Sequence, residues 1–264
     1  MKYDIATDAR PQVKALLIAT ILSIALWFIP YTGILIYPFK LFVTFIHEGS
    51  HVLASIITMS GVKSLGIHFD TSGVVMSAPD SNVAGMIISS AGYIGAAAYG
   101  ALLLVLIRRA VAVRAVLIAS AVFVLVMALF FGLALPVLNA TSPNVNLSDI
   151  PFTVISGLII AAGLVAIAKF ASQWFANFFL SFLAVQCLLN AFSDLKTVFF
   201  LSSPLAGPNI QTDAVNMANV TGVPAIFWTL IWIGVSFALL TFALRIYAVN
   251  KHRKPAQQDL PFED

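Results

Sequence analysis

Seven apolar runs divide this chain, at residues 15–29, 38–58, 83–107, 115–138, 152–168, 174–195 and 224–249. Crossing the hydrocarbon of a bilayer takes about 20 mostly apolar residues in helical form. Only a helix or a closed barrel satisfies its own backbone polar groups there. The chain is 60% hydrophobic and only 9% charged, where soluble domains carry about 25% charged residues. The pattern therefore predicts an all-α polytopic membrane protein with six or seven transmembrane helices. The stretch at 33–36 is also apolar, so the end of the first run is open. That run lacks a small-x-small cleavage site and reads as a retained helix rather than a cleaved signal peptide. The segment 251–264 is polar and reads as a disordered tail.

One segment breaks the helical pattern. Val62-Lys63-Ser64-Leu65-Gly66-Ile67-His68-Phe69 is followed by Asp70-Thr71-Ser72-Gly73 and then Val74-Val75-Met76-Ser77. Apolar and β-branched residues flank a turn-forming cluster, which predicts a short β-hairpin over 61–77. At membrane depth such a hairpin must be covered by protein or line a watery cavity.

Charge sets expectations about partners and orientation. A net charge of +3, scattered along the chain, excludes a nucleic-acid-binding surface. The cations instead gather as Arg108, Arg109 and Arg114, as Lys169, and as Arg245, Lys251, Arg253 and Lys254. Placing these loops in the cytoplasm puts the 139–151 and 203–222 loops, the hairpin and the N-terminus outside. The lone Cys187 allows no intramolecular disulfide and reads as a small buried residue.

Chemistry concentrates in His47-Glu48-Gly49-Ser50-His51, which follows the hydrophobic Leu41-Phe42-Val43-Thr44-Phe45-Ile46. On a helix the two histidines lie on one face, about 6 Å apart along the axis. Both can ligate one Zn²⁺, and Glu48 can serve as general base toward an attacking water. The chain holds four histidines, and its glutamates are Glu48 and Glu263. The sole glutamate of the membrane body thus lies between two of the histidines. Ionisable groups in mid-span cost about 2.5–3.5 kcal/mol each on insertion scales, so an incidental cluster is disfavoured.

A catalytic zinc site takes three protein ligands and leaves one position open. Asp194, near the end of an apolar run, is the first candidate for the third. His68 and Asp70 on the hairpin are its rivals, although an interfacial histidine and a turn aspartate suit those positions better. Asp80, Asp149 and Asp213 neighbour proline, serine or threonine and read as cap or turn residues. Asn190 lies one helical turn before Asp194 and is suited to donating to a substrate carbonyl or to a neighbouring helix.

Taken together, H-E-G-S-H in an apolar helix, a following hairpin, Ser90-Ala91-Gly92-Tyr93-Ile94-Gly95 and the 190–194 stretch resemble the site-2 protease family of intramembrane zinc metallopeptidases, in a compact branch without a PDZ domain. The resemblance covers about residues 39–201. It implies one metallopeptidase domain over 1–250, zinc held by His47, His51 and Asp194, Glu48 activating water, Asn190 binding substrate, and an edge strand within 61–77 that pairs with an unwound substrate. It also implies a transmembrane protein or peptide as substrate and a multi-pass location in the cell membrane, among lipid. Three features depart from the family pattern: Leu195 follows Asp194 where the family has glycine, no proline follows Asn190 at the family's spacing, and the family's site lies toward the cytoplasmic leaflet whereas the charge count sets this helix the other way, which leaves the sidedness open. Rival readings are a membrane metal-binding or transport protein and an inactive protease-like scaffold. The scarcity of ionisable residues in the other spans argues against transport, and the complete His47, Glu48 and His51 set argues against inactivity.

Overall fold

The computed structural model describes residues 10–29, 32–108, 112–202 and 211–248. The 251–264 tail, with His252 and Glu263, lies outside the described residues, as do residues 1–9. In chain order the elements are α1 (Arg10–Phe28), α2 (Gly33–Ile57), β1 (Gly61–Ile67), β2 (Gly73–Ala78), α3 (Asn82–Arg108), α4 (Val113–Val126), a π-helical stretch (Met127–Ala134), α5 (Leu135–Leu138), a 3-10 turn (Leu147–Asp149), α6 (Ile150–Phe170), α7 (Gln173–Leu201), α8 (Asp213–Thr221) and α9 (Ala225–Ala248). The protein is all-α and polytopic, with one small hairpin as the β-structure among the described residues.

Among the described residues, five helical segments are long and apolar enough to cross a membrane: Asn82–Arg108, Val113–Leu138, Leu147–Phe170, Gln173–Leu201 and Ala225–Ile246. Their outer faces carry large hydrophobic side chains in the open, including Ile159 at 66% and Phe242 at 63% exposure. A water-soluble protein avoids apolar surface on this scale, whereas lipid accepts it. This is an integral membrane protein.

Helix α3 is the hub, packing against α2, α7, α8 and α9. Small residues make this possible: Ala96, Ala97 and Gly100 are buried along it, and such residues let helix backbones approach closely in lipid. Cys187 is buried in α7, as its sequence suggested.

Two boundaries differ from expectation. The apolar stretch at 33–36 does not prolong the first run but forms the opening turn of α2, so Pro38 sits inside that helix. The 115–138 run is not uniform either: its middle widens into π-helix over Met127–Ala134, where it packs on β1 and α6. A third difference matters more. Part of the expected 203–222 loop is the nine-residue helix α8, whose first turn is capped by the Thr212 hydroxyl accepting the Val215 amide at 3.3 Å.

The hairpin is antiparallel, running from Gly61↔Ala78 to Ile67↔Gly73, with a bulge that leaves Lys63 unpaired. Its turn is fastened on several sides. The Asp70 carboxylate accepts the Ser72 amide at 2.9 Å and the Ser72 hydroxyl at 2.6 Å. Tyr37 and Thr44 of α2 donate to the carbonyls of Phe69 and Thr71, each at 2.7 Å. His68 Nε2 lies 3.3 Å from Asp149 Oδ2. The outer side of β1 is also occupied: the Ile67 amide donates to Thr153 Oγ1 at 2.8 Å, and Asn139 Nδ2 donates to the Lys63 carbonyl at 3.4 Å.

Candidate metal centre

Three donors converge: His47 and His51 from α2 and Asp213 from the first turn of α8. Asp213 Oδ2 lies 3.5 Å from His47 Nε2 and 3.3 Å from His51 Nε2. A tetrahedral zinc with bonds of about 2.0–2.1 Å would space its ligand atoms by roughly 3.4 Å, so these separations fit one ion. The tautomer of His51 is set for the task. Its Nδ1 donates to the Ile88 carbonyl at 2.6 Å, which leaves the Nε2 lone pair facing the other donors. Burial alone would raise the Asp213 carboxyl, but the His51 and His47 imidazoles outweigh it and hold the group well below the usual carboxylate range. Two imidazoles and an ionised carboxylate form the donor chemistry of a catalytic zinc site.

Helix α3 shapes the floor of this centre by what it lacks. A Cβ on Gly92 would stand 2.2 Å from His47 Nε2 and 2.5 Å from His51 Nε2. Any side chain there would fill the space where the donors meet. Tyr93 follows, its ring edge-on to His47 with centroids 4.6 Å apart and stacked on Trp232 at 5.2 Å. The His47 ring is thus held on one side by an aromatic pair, beside the Gly92 gap.

Glu48 is buried and lies against the start of β2, where a Cβ on Gly73 would come within 2.6 Å of Glu48 Cγ. It faces a cleft of about 590 Å³. One wall of the cleft is β2 from Gly73 to Ser77, the other is α8 with Asp213, Asn216 and Asn219, and His47, Glu48 and His51 lie at its base. The wall supplied by β2 is its outer edge, since its other edge pairs with β1.

The remaining sequence candidates lie elsewhere. Asp194 is exposed on α7, within electrostatic reach of His47, and does not line the cleft. Among the described residues, the group of donors close enough to hold an ion contains Asp213 in its place. Asn190 is buried away from the cleft. Its Nδ2 donates to the Gln186 carbonyl at 2.8 Å, and Gln186 in turn donates to Ser23 of α1 at 3.3 Å. That polar chain ties α7 to α1. His68 and Asp70 belong to the hairpin fastenings described above. Asp213 was read as a cap or turn residue, yet Thr212 is the cap and Asp213 turns inward. The signal for α8 was its own pattern: Ala214 and Met217 are buried on one face, while Asp213, Asn216 and Val220 face the cleft.

The sequence model of the Peptidase M50B-like family matches residues 17–139 and 147–243. The chain belongs to the Peptidase M50B-like family. This is the site-2 protease type to which the H-E-G-S-H helix pointed, and the match to this M50B-like protein spans every element from α2 to α8. No PDZ domain is indicated. No curated protein and no solved structure matches the chain.

Proposed function

We propose that this M50B-like protein is an intramembrane zinc endopeptidase acting on membrane-embedded protein or peptide substrates in the cell membrane. The observation that carries the reading is the convergence of His47, His51 and Asp213 beside Glu48, at the base of a cleft walled by a free strand edge. Zinc bound there would polarise the scissile carbonyl and make water a nucleophile near neutral pH.

The chain's own residues supply the rest. Glu48 takes a proton from the attacking water and passes it to the leaving amine. Its burial against Gly73 keeps bulk water away and fixes the carboxylate toward the strand edge. A transmembrane helix resists hydrolysis because its carbonyls are internally bonded. Pairing with the outer edge of β2 compensates an unwound segment with new backbone hydrogen bonds. The carboxamides of Asn216 and Asn219 face the segment from the opposite wall.

E48Q tests the reading. Purified E48Q binds as much zinc as wild type and fails to cleave a single-span peptide in proteoliposomes. Retained cleavage by E48Q would overturn the mechanism.

A further inference from the structure

A polar group in the cleft lacks a partner among the described residues. Tyr93 of α3 lines the cleft and is only 7% exposed, yet no hydrogen bond engages its hydroxyl. That oxygen is not sealed in the packing, as the unpaired hydroxyls of Ser202 and Ser236 are. Buried tyrosine hydroxyls usually find a partner, so a free one beside a metal centre points to a ligand.

The ring that carries it is fixed. Besides its edge-on contact with His47, it stacks on Trp232 of α9, which is buried. Trp232 is held in turn, because its Nε1 donates to Ser90 Oγ at 3.2 Å, one helical turn before Tyr93 on α3. Leu195, Val198, Ala214 and Met217 complete the cluster around the two rings. The carboxylates of Asp213, Asp194 and Glu48 all lie within electrostatic reach of the hydroxyl. Other donors in the cleft have work already: Gln211 donates to Asn216 at 2.5 Å, and the Thr212 hydroxyl caps α8. Tyr93 is an uncharged donor in ring contact with a metal ligand.

Peptide hydrolysis needs such a donor. Attack of water forms a C–O bond and moves the carbonyl π pair onto oxygen, which becomes negative, while Glu48 takes the water proton. Collapse returns the pair, breaks the C–N bond and sends the Glu48 proton to the amine. A phenol keeps its proton at neutral pH and donates to the negative oxygen without transferring it. A donor already in place when the charge develops favours the transition state over the ground state.

We propose that the Tyr93 hydroxyl is a catalytic hydrogen-bond donor to the scissile carbonyl oxygen, stabilising the negative charge that develops there. The proposal rests on the peptidase reading.

Y93F removes one oxygen and keeps the ring against His47 and Trp232. Purified wild type and Y93F in proteoliposomes are compared on a single-span peptide, with zinc content and thermal unfolding measured alongside. Y93F should hold one zinc per chain, melt as wild type does and keep its KM, while kcat falls ~100-fold, the scale of losing one oxyanion donor. A phosphinic peptide analogue, whose tetrahedral phosphorus carries the negative oxygen, gives a readout without turnover, and its binding should weaken by a similar factor. A kcat near the wild-type value, or unchanged binding of the analogue, would overturn the proposal. So would a raised KM with kcat unchanged, which marks ground-state binding alone, and so would loss of zinc from Y93F, which would make Tyr93 a prop for His47. A wild type that holds zinc and cleaves nothing would overturn the peptidase reading and the proposal with it, whereas equal cleavage by wild type and Y93F overturns the proposal alone.

Discussion

Replacing Gly92 by alanine should empty the metal centre without unfolding the protein. The added methyl carbon would stand 2.2 Å from His47 Nε2, 2.5 Å from His47 Cε1 and 2.5 Å from His51 Nε2. Ordinary contact between such atoms needs about 3.5 Å or more, so His47 Nε2 must retreat by more than 1 Å. Zinc–ligand distances tolerate only about 0.2 Å. The displacement is therefore several times what coordination allows, and it strikes two ligands at once. Loss of a supporting partner typically costs 10–100-fold in affinity, so displacing the ligands themselves should weaken zinc by at least ~100-fold. The backbone should hold, because the atoms struck are the tips of imidazole rings rather than the α2 main chain. Alanine is also better than glycine inside a helix by about 1 kcal/mol. Zinc stoichiometry of purified G92A by plasma mass spectrometry, with thermal unfolding of metal-free protein alongside, checks both halves. One zinc per chain in G92A, with melting unchanged, would refute the assignment of this space to a metal.

Other outcomes follow from the same geometry. D213A should lose zinc while D194A keeps it; zinc lost from D194A and kept by D213A would return the third ligand to α7. G95A should behave differently from G92A, because its new carbon would meet Ser50 Cβ at 2.5 Å and force α2 from α3. Overpacking of this kind costs about 1–3 kcal/mol, so G95A should lower the melting temperature of metal-free protein, which G92A leaves in place.

The legible and illegible parts of this protein divide by range. The hairpin was readable because Asp70-Thr71-Ser72-Gly73 between apolar β-branched residues is a local signal, and its turn is closed by Asp70 and Ser72 themselves. The His47, Glu48 and His51 set was readable because one helical turn fixes its geometry. The third donor was not, for Asp213 lies 162 residues beyond His51 in the chain and only the packing of α8 on α3 brings it home. Asp194 attracted attention because an aspartate in an apolar run is costly, whereas Asp213 stands in a polar stretch where aspartate costs nothing. The π-helical widening was equally hidden, since Met127–Ala134 is apolar throughout and nothing in its periodicity separates π from α.

The occupied outer side of β1 has a consequence for ligands. Thr153 and Asn139 already hold the Ile67 amide and the Lys63 carbonyl, so the hairpin can grow in one direction only, from β2 toward α8. The cleft then acts as a ratchet for strand number: a third strand on Gly73–Ala78 turns its far side to the α8 carboxamides, where no fourth can follow. A peptide N-methylated on alternate amides of that far side would keep its pairing with β2 and forfeit contacts to Asn216 and Asn219. Its binding relative to the unmethylated peptide would separate the contribution of the strand edge from that of the opposite wall, with the metal left out of the comparison.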